Sequence, residues 1–211
     1  KVILTDINQS SLDSLKKNLS RNFPLNKIII YLMDITNPES ISSVSKKILA
    51  NNLRVDILIN NAAIDPKVNN NLNLKNSSRL ENFPLDDWNK QINVGLSGAF
   101  LCTKEFGSLM ALDGKGGVIV NIASDLSVIA PDQRLYFDEN LNEFEQSVKP
   151  VTYSVIKSGI VGLTKYISTY WANKGIRCNA LSPGGIFNDQ KDIFLESCLL
   201  YTSDAADELT S

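Results

Sequence analysis

Lys27–Leu32 reads KIIIYL, an apolar, β-branched run with no polar residue alternating through it. Such runs suit strands of a parallel sheet buried on both faces. Working outward, Lys1–Ile7 (KVILTDI) is a similar run, and a helix follows over Ser11–Leu19 with Leu12, Leu15 and Leu19 on one face. Asn37-Pro38-Glu39 opens a helix to about Asn51, with proline in its first turn. Val55–Ile59 (VDILI), Gly117–Ile122 (GVIVNI) and Ile176–Leu181 (IRCNAL) read as three more strands. Between them lie helices over Asp86–Met110, with Trp88, Ile92, Leu96, Phe100 and Phe106 on its apolar side, and over Val151–Trp171. Residues 65–79 and 126–150 read as irregular surface segments. Strictly alternating strands and helices predict right-handed βαβ units: an α/β fold, doubly wound, with helices on both faces of a parallel sheet.

The 211 residues, 43% hydrophobic and 21% charged, bound one globular domain with a sizeable core. A net charge of −2 without a basic block argues against nucleic acid or anionic membrane as a partner. No apolar run approaches the length of a membrane span. Cys102, Cys178 and Cys198 lack metal spacing and suit a reducing compartment, so a cytoplasmic location is expected. Histidine is absent, which removes His-based triads and most zinc sites; no metal site is expected.

In open parallel sheets the ligand crevice lies beyond the C-terminal strand ends. Asp6, Asp34, Asn60, Asn61, Ser124 and the Pro183-Gly184-Gly185 turn all fall there. A carboxylate at Asp6 suits a ribose diol and repels a 2′-phosphate; it also fits an ordinary loop aspartate. In Val151–Leu163 (VTYSVIKSGIVGL), Tyr153 and Lys157 are four apart and share one helix face. Taken alone, the pair also fits any amphipathic helix. A lysine ammonium close to a phenol favours its ionised form, which suits proton exchange with an alkoxide. Ser124 is placed to hydrogen-bond the same oxygen. Gly159 and Gly162 interrupt this helix and predict close approach by another backbone.

These residues together resemble the short-chain dehydrogenase/reductase family. Tyr153-Ser154-Val155-Ile156-Lys157 matches its YxxxK motif, Ser124 its catalytic serine, and Asn93 in Ile92-Asn93-Val94 its catalytic asparagine. Asn60-Asn61-Ala62-Ala63 is similar to its NNAG motif, with Ala63 in place of glycine. Pro183-Gly184-Gly185-Ile186 resembles the turn beside the nicotinamide, and Asp34-Ile35 the pair beside the adenine. The resemblance implies a Rossmann-type, three-layer NAD(P)-binding fold. In it Ser124, Tyr153 and Lys157 act as above, Lys157 also bonds the nicotinamide ribose, and Asn93 holds a water of a proton relay. Cofactor contacts are implied for Asp6, Asp34, Ile35, Asn60, Asn61, Ala62, Tyr153, Lys157, Pro183, Gly184 and Ile186. Asp6 makes NAD the first choice over NADP, and a homodimer or homotetramer is implied.

Two departures stand out. No strand and GxGxxG turn precede Asp6 by roughly 20 residues, where the pyrophosphate seat belongs. The expectation is a chain cut at the front, lacking its first strand and glycine-rich turn, and inactive in this form. The segment between Ser124 and Tyr153 is longer than the family usually carries, and Pro131–Tyr136 is expected to line or cover the substrate pocket. Arg134 there suits a carboxylate or phosphate, or plain solvation. Cys198–Glu208 (CLLYTSDAADE) resembles a translated sequencing adapter. Residues 1–197 therefore read as a partial domain and 198–211 as a non-native tail.

The expected activity of the intact enzyme is hydride transfer between NAD(H) and a small polar alcohol or ketone, with a sugar-related substrate in view. The alternatives are a nucleotide-sugar epimerase or dehydratase and a non-catalytic dinucleotide-binding module.

Overall fold

All five apolar runs form strands, and every strand pair among the described residues is parallel. The computed structural model describes residues 1–64 and 78–185. The expectations for residues 65–77, for Ile186 and for the tail from Cys198 lie outside the described residues. β1 (Val2–Asp6) pairs with β2 (Ile28–Leu32), Val2 opposite Ile28. β3 (Ile57–Asn60), β4 (Gly117–Ile122) and β5 (Ile176–Leu181) pair in that order, Leu58 opposite Ile119 and Ile119 opposite Cys178. Pairing is thus broken between β1 and β3, where the sequence predicted one sheet with its first strand missing. The two open edges line a cavity of about 700 Å³, into which Leu12, Ala99, Cys102 and Phe106 also face. Val2, Ile57 and Ile59 are exposed along it.

The first two helices begin where short polar side chains satisfy their first N–H groups. α1 (Gln9–Leu19) starts two residues ahead of the expected Ser11 because Asn8 Oδ1 accepts from the Ser11 N–H at 3.1 Å. In α2 (Pro38–Ala50), Asn37 Oδ1 accepts from Glu39 at 2.8 Å and Ser40 at 3.1 Å. α3 is continuous over residues 85–113 but not uniform. Its α-helical stretches, Leu85–Ile92, Ala99–Cys102 and Ser108–Asp113, are separated by wide π-helical turns at Asn93–Gly98 and Thr103–Gly107. Each wide turn ends on a glycine with no room for a side chain, Gly98 against Ile35 and Gly107 against Trp171. α3 stops at Gly114, which takes the left-handed conformation at φ +73°.

α3 is the packing hub. With α2 it buries Met33, Ile41, Val44, Ile48, Cys102 and Phe106. Against β4, β5 and α4 (Val151–Tyr170) it buries Met110, Ile119, Ile167, Ile176 and Cys178. A third cluster of Ala99, Ala123, Ile156 and Ile160 fixes the first half of α4 beside the end of β4. Each fully buried aliphatic side chain here contributes roughly 1.5–3 kcal/mol. Burial pushes the Cys102 thiol up to about 12, so it is a packed, protonated core group at neutral pH.

The two glycines of α4 differ from expectation. A Cβ on Gly159 would meet the Leu96 side chain at 3.0 Å, and one on Gly162 would meet nothing within 4 Å. Neither faces another backbone. Gly159 makes room for a leucine, and Gly162 only weakens the helix. Gly162→Ala is therefore expected to stabilise the chain by about 0.5–1 kcal/mol, read as a raised thermal midpoint. An unchanged or lower midpoint would mean that something covers this position in solution.

Candidate active site

The C-terminal ends of β4 and β5 carry the first group of side chains. Ser124 lies two residues past the end of β4 and is 4% exposed. Its hydroxyl donates to Asp125 Oδ1 at 2.7 Å, and its oxygen accepts from the Leu126 N–H at 3.3 Å. The Asp125 N–H donates to the Pro183 carbonyl at 3.1 Å, and that of Ala123 to Leu181 at 2.8 Å. These bonds hold the Pro183-Gly184 turn against Ser124. Lys157 reaches across from α4, and its Nζ donates to the Ile122 carbonyl at 2.8 Å. Tyr153 lies one turn earlier, with Lys157 Nζ 5.6 Å from its ring centroid. Buried Thr152 donates to Gln91 Oε1, which clamps the start of α4 to α3. That clamp brings Asn93, exposed at the start of the first π-helical turn, to the Tyr153 end of α4. Ser124, Tyr153, Lys157, Pro183 and Gly184 are thus gathered, with Asn93 on the neighbouring helix.

A second group surrounds the cavity between β1 and β3. Asp6, Ile35, Asn60, Asn61 and Ala62 line it, whereas Ser124, Tyr153 and Lys157 do not. Asp6 is exposed, and one carboxylate oxygen accepts from the Asn8 N–H at 2.8 Å. The Asp34 carboxylate is engaged in its own turn, accepting from the Thr36 N–H at 2.8 Å and hydroxyl at 2.7 Å. Asn60 turns its amide inward: Nδ2 donates to Asn121 Oδ1 at 2.7 Å and Thr103 Oγ1 at 3.0 Å. Its side chain therefore holds β3 to β4 and α3. Asn61 and Ala62 are exposed at the strand end.

Sequence reasoning overlooked three neighbours of the site. Lys149 Nζ sits over the Tyr153 ring, 3.7 Å from its centroid. The spacing of Lys149, Tyr153 and Lys157, four and four, was legible, although Lys149 precedes the helix. Asp125 accepts from Ser124, and Asn121 joins Asn60 to α4; neither gave a signal beyond being polar near a strand end. Arg134, the cation considered for ligand binding in this region, is exposed and ion-paired with Asp132, with Nη2 to Oδ2 at 2.6 Å.

Parallel strands alternating with helices define a Rossmann-like α/β class. The chain belongs to the short-chain dehydrogenase family: residues 1–136 match its profile, and residues 143–195 match a second profile described as enoyl-(acyl carrier protein) reductase. It is 29% identical over 72% of its length to D-threitol dehydrogenase of Mycolicibacterium smegmatis, covering 48% of that protein. It is 31% identical over 74% of its length to 2-dehydro-3-deoxy-D-gluconate 5-dehydrogenase of Bacillus subtilis, covering 50% of it. The crystal structure of a short chain dehydrogenase from Leptospira borgpetersenii with bound NAD+ superposes with a TM-score of 0.74 at 30% identity, covering 92% of this chain and 65% of that one. The chain spans about half the length of the first of the curated relatives it matches. Among the described residues, no helix is long and apolar enough to cross a membrane.

Proposed function

We propose that the chain is part of an NAD(P)-dependent oxidoreductase that interconverts a hydroxyl and a carbonyl on a small polar substrate of the polyol or sugar class. The observation that carries this is the junction of α4 with β4: Lys157 is bonded to the Ile122 carbonyl two residues before Ser124, with Tyr153 one turn away. Tyr153 gives its proton to the oxygen that becomes an alkoxide, or accepts one in reverse. Ser124 orients that oxygen, Lys157 holds the junction through the Ile122 carbonyl, and Asn93 holds a relay water. The names of the threitol and deoxygluconate dehydrogenases support the substrate class.

The dinucleotide, when bound, supplies or takes the hydride. The residues present fit it. Asp6 offers an exposed carboxylate oxygen for a ribose diol, and Ile35, Asn61 and Ala62 line the same cavity. Pro183 and Gly184 lie beside Ser124, with Ile186 next in sequence order after the described residues. NAD is the first choice because a second negative charge near Asp6 is repelled. Asp34 and Asn60, with their side chains engaged elsewhere, contribute through backbone alone.

We further propose that residues 1–197 are a partial domain, residues 198–211 are foreign to it, and the intact protein is a cytoplasmic homodimer or homotetramer. Exposed Val2, Ile57 and Ile59 along the cavity support a further strand there, and exposed Phe100, Tyr166 and Tyr170 support helix-to-helix assembly through α3 and α4. The test is nicotinamide absorbance on the product of the uninterrupted gene, with a panel of polyols and their ketones. Turnover on at least one pair is expected. Dinucleotide binding with no turnover on any pair would reduce the protein to a binding module.

A further inference from the structure

The chain just past β4 holds a carboxylate in a fixed place beside Ser124. Asp125 opens a short 3-10 turn that runs to Ser127. Its N–H donates to the Pro183 carbonyl at 3.1 Å, and its own carbonyl accepts from the N–H groups of Val128 at 2.9 Å and Ile129 at 3.2 Å. The Ser127 hydroxyl donates to the Ser124 carbonyl, and Ser158 of α4 donates to the Ser127 carbonyl at 3.1 Å. The turn is thus tied to the Pro183 segment on one side and to the catalytic helix on the other. Backbone satisfied in this way is pre-ordered, and the Asp125 side chain starts from it.

The two carboxylate oxygens of Asp125 have different surroundings. Oδ1 accepts from the Ser124 hydroxyl and from the Leu126 N–H, both at 2.7 Å. Oδ2 faces the Pro183-Gly184 turn, where a Cβ on Gly184 would meet it at 3.7 Å. The Leu126 N–H is a permanent donor, but the Ser124 hydroxyl is not. It has one proton, and orienting the reacting oxygen turns that proton away from Asp125. A carboxylate that loses a donor seeks another. The reacting oxygen, bonded to Ser124, stands about two hydrogen-bond lengths from Oδ1. A hydroxyl on the adjacent carbon lies about one such length from the reacting oxygen, so it fills the place that Ser124 leaves.

We infer that Asp125 is a specificity residue: it accepts a hydrogen bond from a hydroxyl on the carbon next to the reacting one, and it disfavours a carboxylate in the same place. The inference rests on the oxidoreductase reading and deepens it, from a small polar substrate to a vicinal diol and its α-hydroxy ketone. Proton exchange at Tyr153 does not require Asp125, whereas the choice of substrate does. An ionised carboxylate only accepts hydrogen bonds, so a substrate anion beside it meets repulsion where a hydroxyl makes a bond.

The experiment uses the product of the uninterrupted gene and three ketones that differ at the carbon beside the carbonyl: 1-hydroxybutan-2-one, butan-2-one and 2-oxobutanoate. Reduction is followed by nicotinamide absorbance. Ratios of kcat/KM are compared between proteins, so that the intrinsic reactivity of each ketone cancels. Asp125→Ala is expected to lower the ratio of the hydroxy ketone to butan-2-one by about 10 to 100-fold, the worth of a hydrogen bond to a charged group. Asp125→Asn keeps the shape and removes the charge. It is expected to raise the ratio of 2-oxobutanoate to butan-2-one by about tenfold or more. A residue that only shapes the turn would slow all three ketones together. Either ratio left unchanged overturns the inference and leaves the oxidoreductase reading standing. Where Asp125→Ala does not fold, the 2-oxobutanoate ratio in Asp125→Asn decides. For a protein that reduces none of the three, the same ratios are read as equilibrium affinities. Shifts in the stated directions support the inference, and affinities unchanged or undetectable overturn it.

Discussion

Tyr153→Phe in the product of the uninterrupted gene is expected to lower kcat/KM by between about 10² and 10⁴-fold, the range positioned acid–base groups supply. That corresponds to roughly 2.7–5.4 kcal/mol of transition-state stabilisation. The substitution removes one hydroxyl and leaves the ring in place. The ring carries the packing: Lys149 and Lys157 both approach its face, and buried Thr152 beside it is bonded to Gln91 of α3. Fold and dinucleotide affinity are therefore expected to stay close to those of the unsubstituted protein, which separates lost chemistry from lost structure. Ser124 is the alternative carrier of the proton, and the structure argues against it. Its hydroxyl has a single proton, which rests on Asp125 Oδ1 at 2.7 Å and, turned to the substrate, serves to orient the reacting oxygen rather than to be given up. Activity within a few-fold of the unsubstituted enzyme would remove Tyr153 from the proton path. A fall in dinucleotide affinity of the same size as the fall in turnover would make it a structural residue.

The strands were legible because a sheet buried on both faces requires unbroken apolar runs, and five such runs exist. Tyr153 and Lys157 were legible because four residues on a helix bring two side chains to one face whatever surrounds them. The π-helical turns of α3 were not, since one extra residue in a turn hardly disturbs an apolar stripe whose glycines face Ile35 and Trp171. The direction of Asn60 was not legible either. A polar residue at a strand end points toward a ligand or into the core according to its neighbours, and here Asn121 stands directly opposite. Lys149 shows the same limit from the other side. Its spacing was visible, but a loop built by Gln146, Asn142 and Ser78 decides that its ammonium lands on Tyr153. The break in pairing between β1 and β3 is a property of strand order, which only tertiary packing specifies.

Asn121→Ala is expected to destabilise the described fold by about 2–4 kcal/mol, from the lost partners of two buried groups and the space left behind. Asn121 is 0% exposed near the C-terminal end of β4, opposite Asn60 on one side and Ala180 on the other. Its Oδ1 accepts from Asn60 Nδ2 at 2.7 Å, and its Nδ2 donates to Thr164 Oγ1 at 2.8 Å with Cys178 Sγ at 3.6 Å. Thr164 in turn donates to the Ile160 carbonyl at 2.8 Å, within α4. One amide thus connects β3, β4, β5 and the helix that carries Tyr153 and Lys157, and Ser124 follows it by three residues. Asn121→Asp is expected to cost more than Asn121→Ala, because it places an ionisable carboxylate where burial is complete and the donor to Thr164 is gone. Urea unfolding of Asn121→Ala, Thr164→Val and the pair closes the cycle. A coupling of about 0.5–3 kcal/mol is expected for residues sharing one network. Additivity within about 0.3–0.5 kcal/mol would show instead that the two side chains act independently. The registration of α4 on the sheet would then rest on Ile156, Ile160 and Ile167 alone.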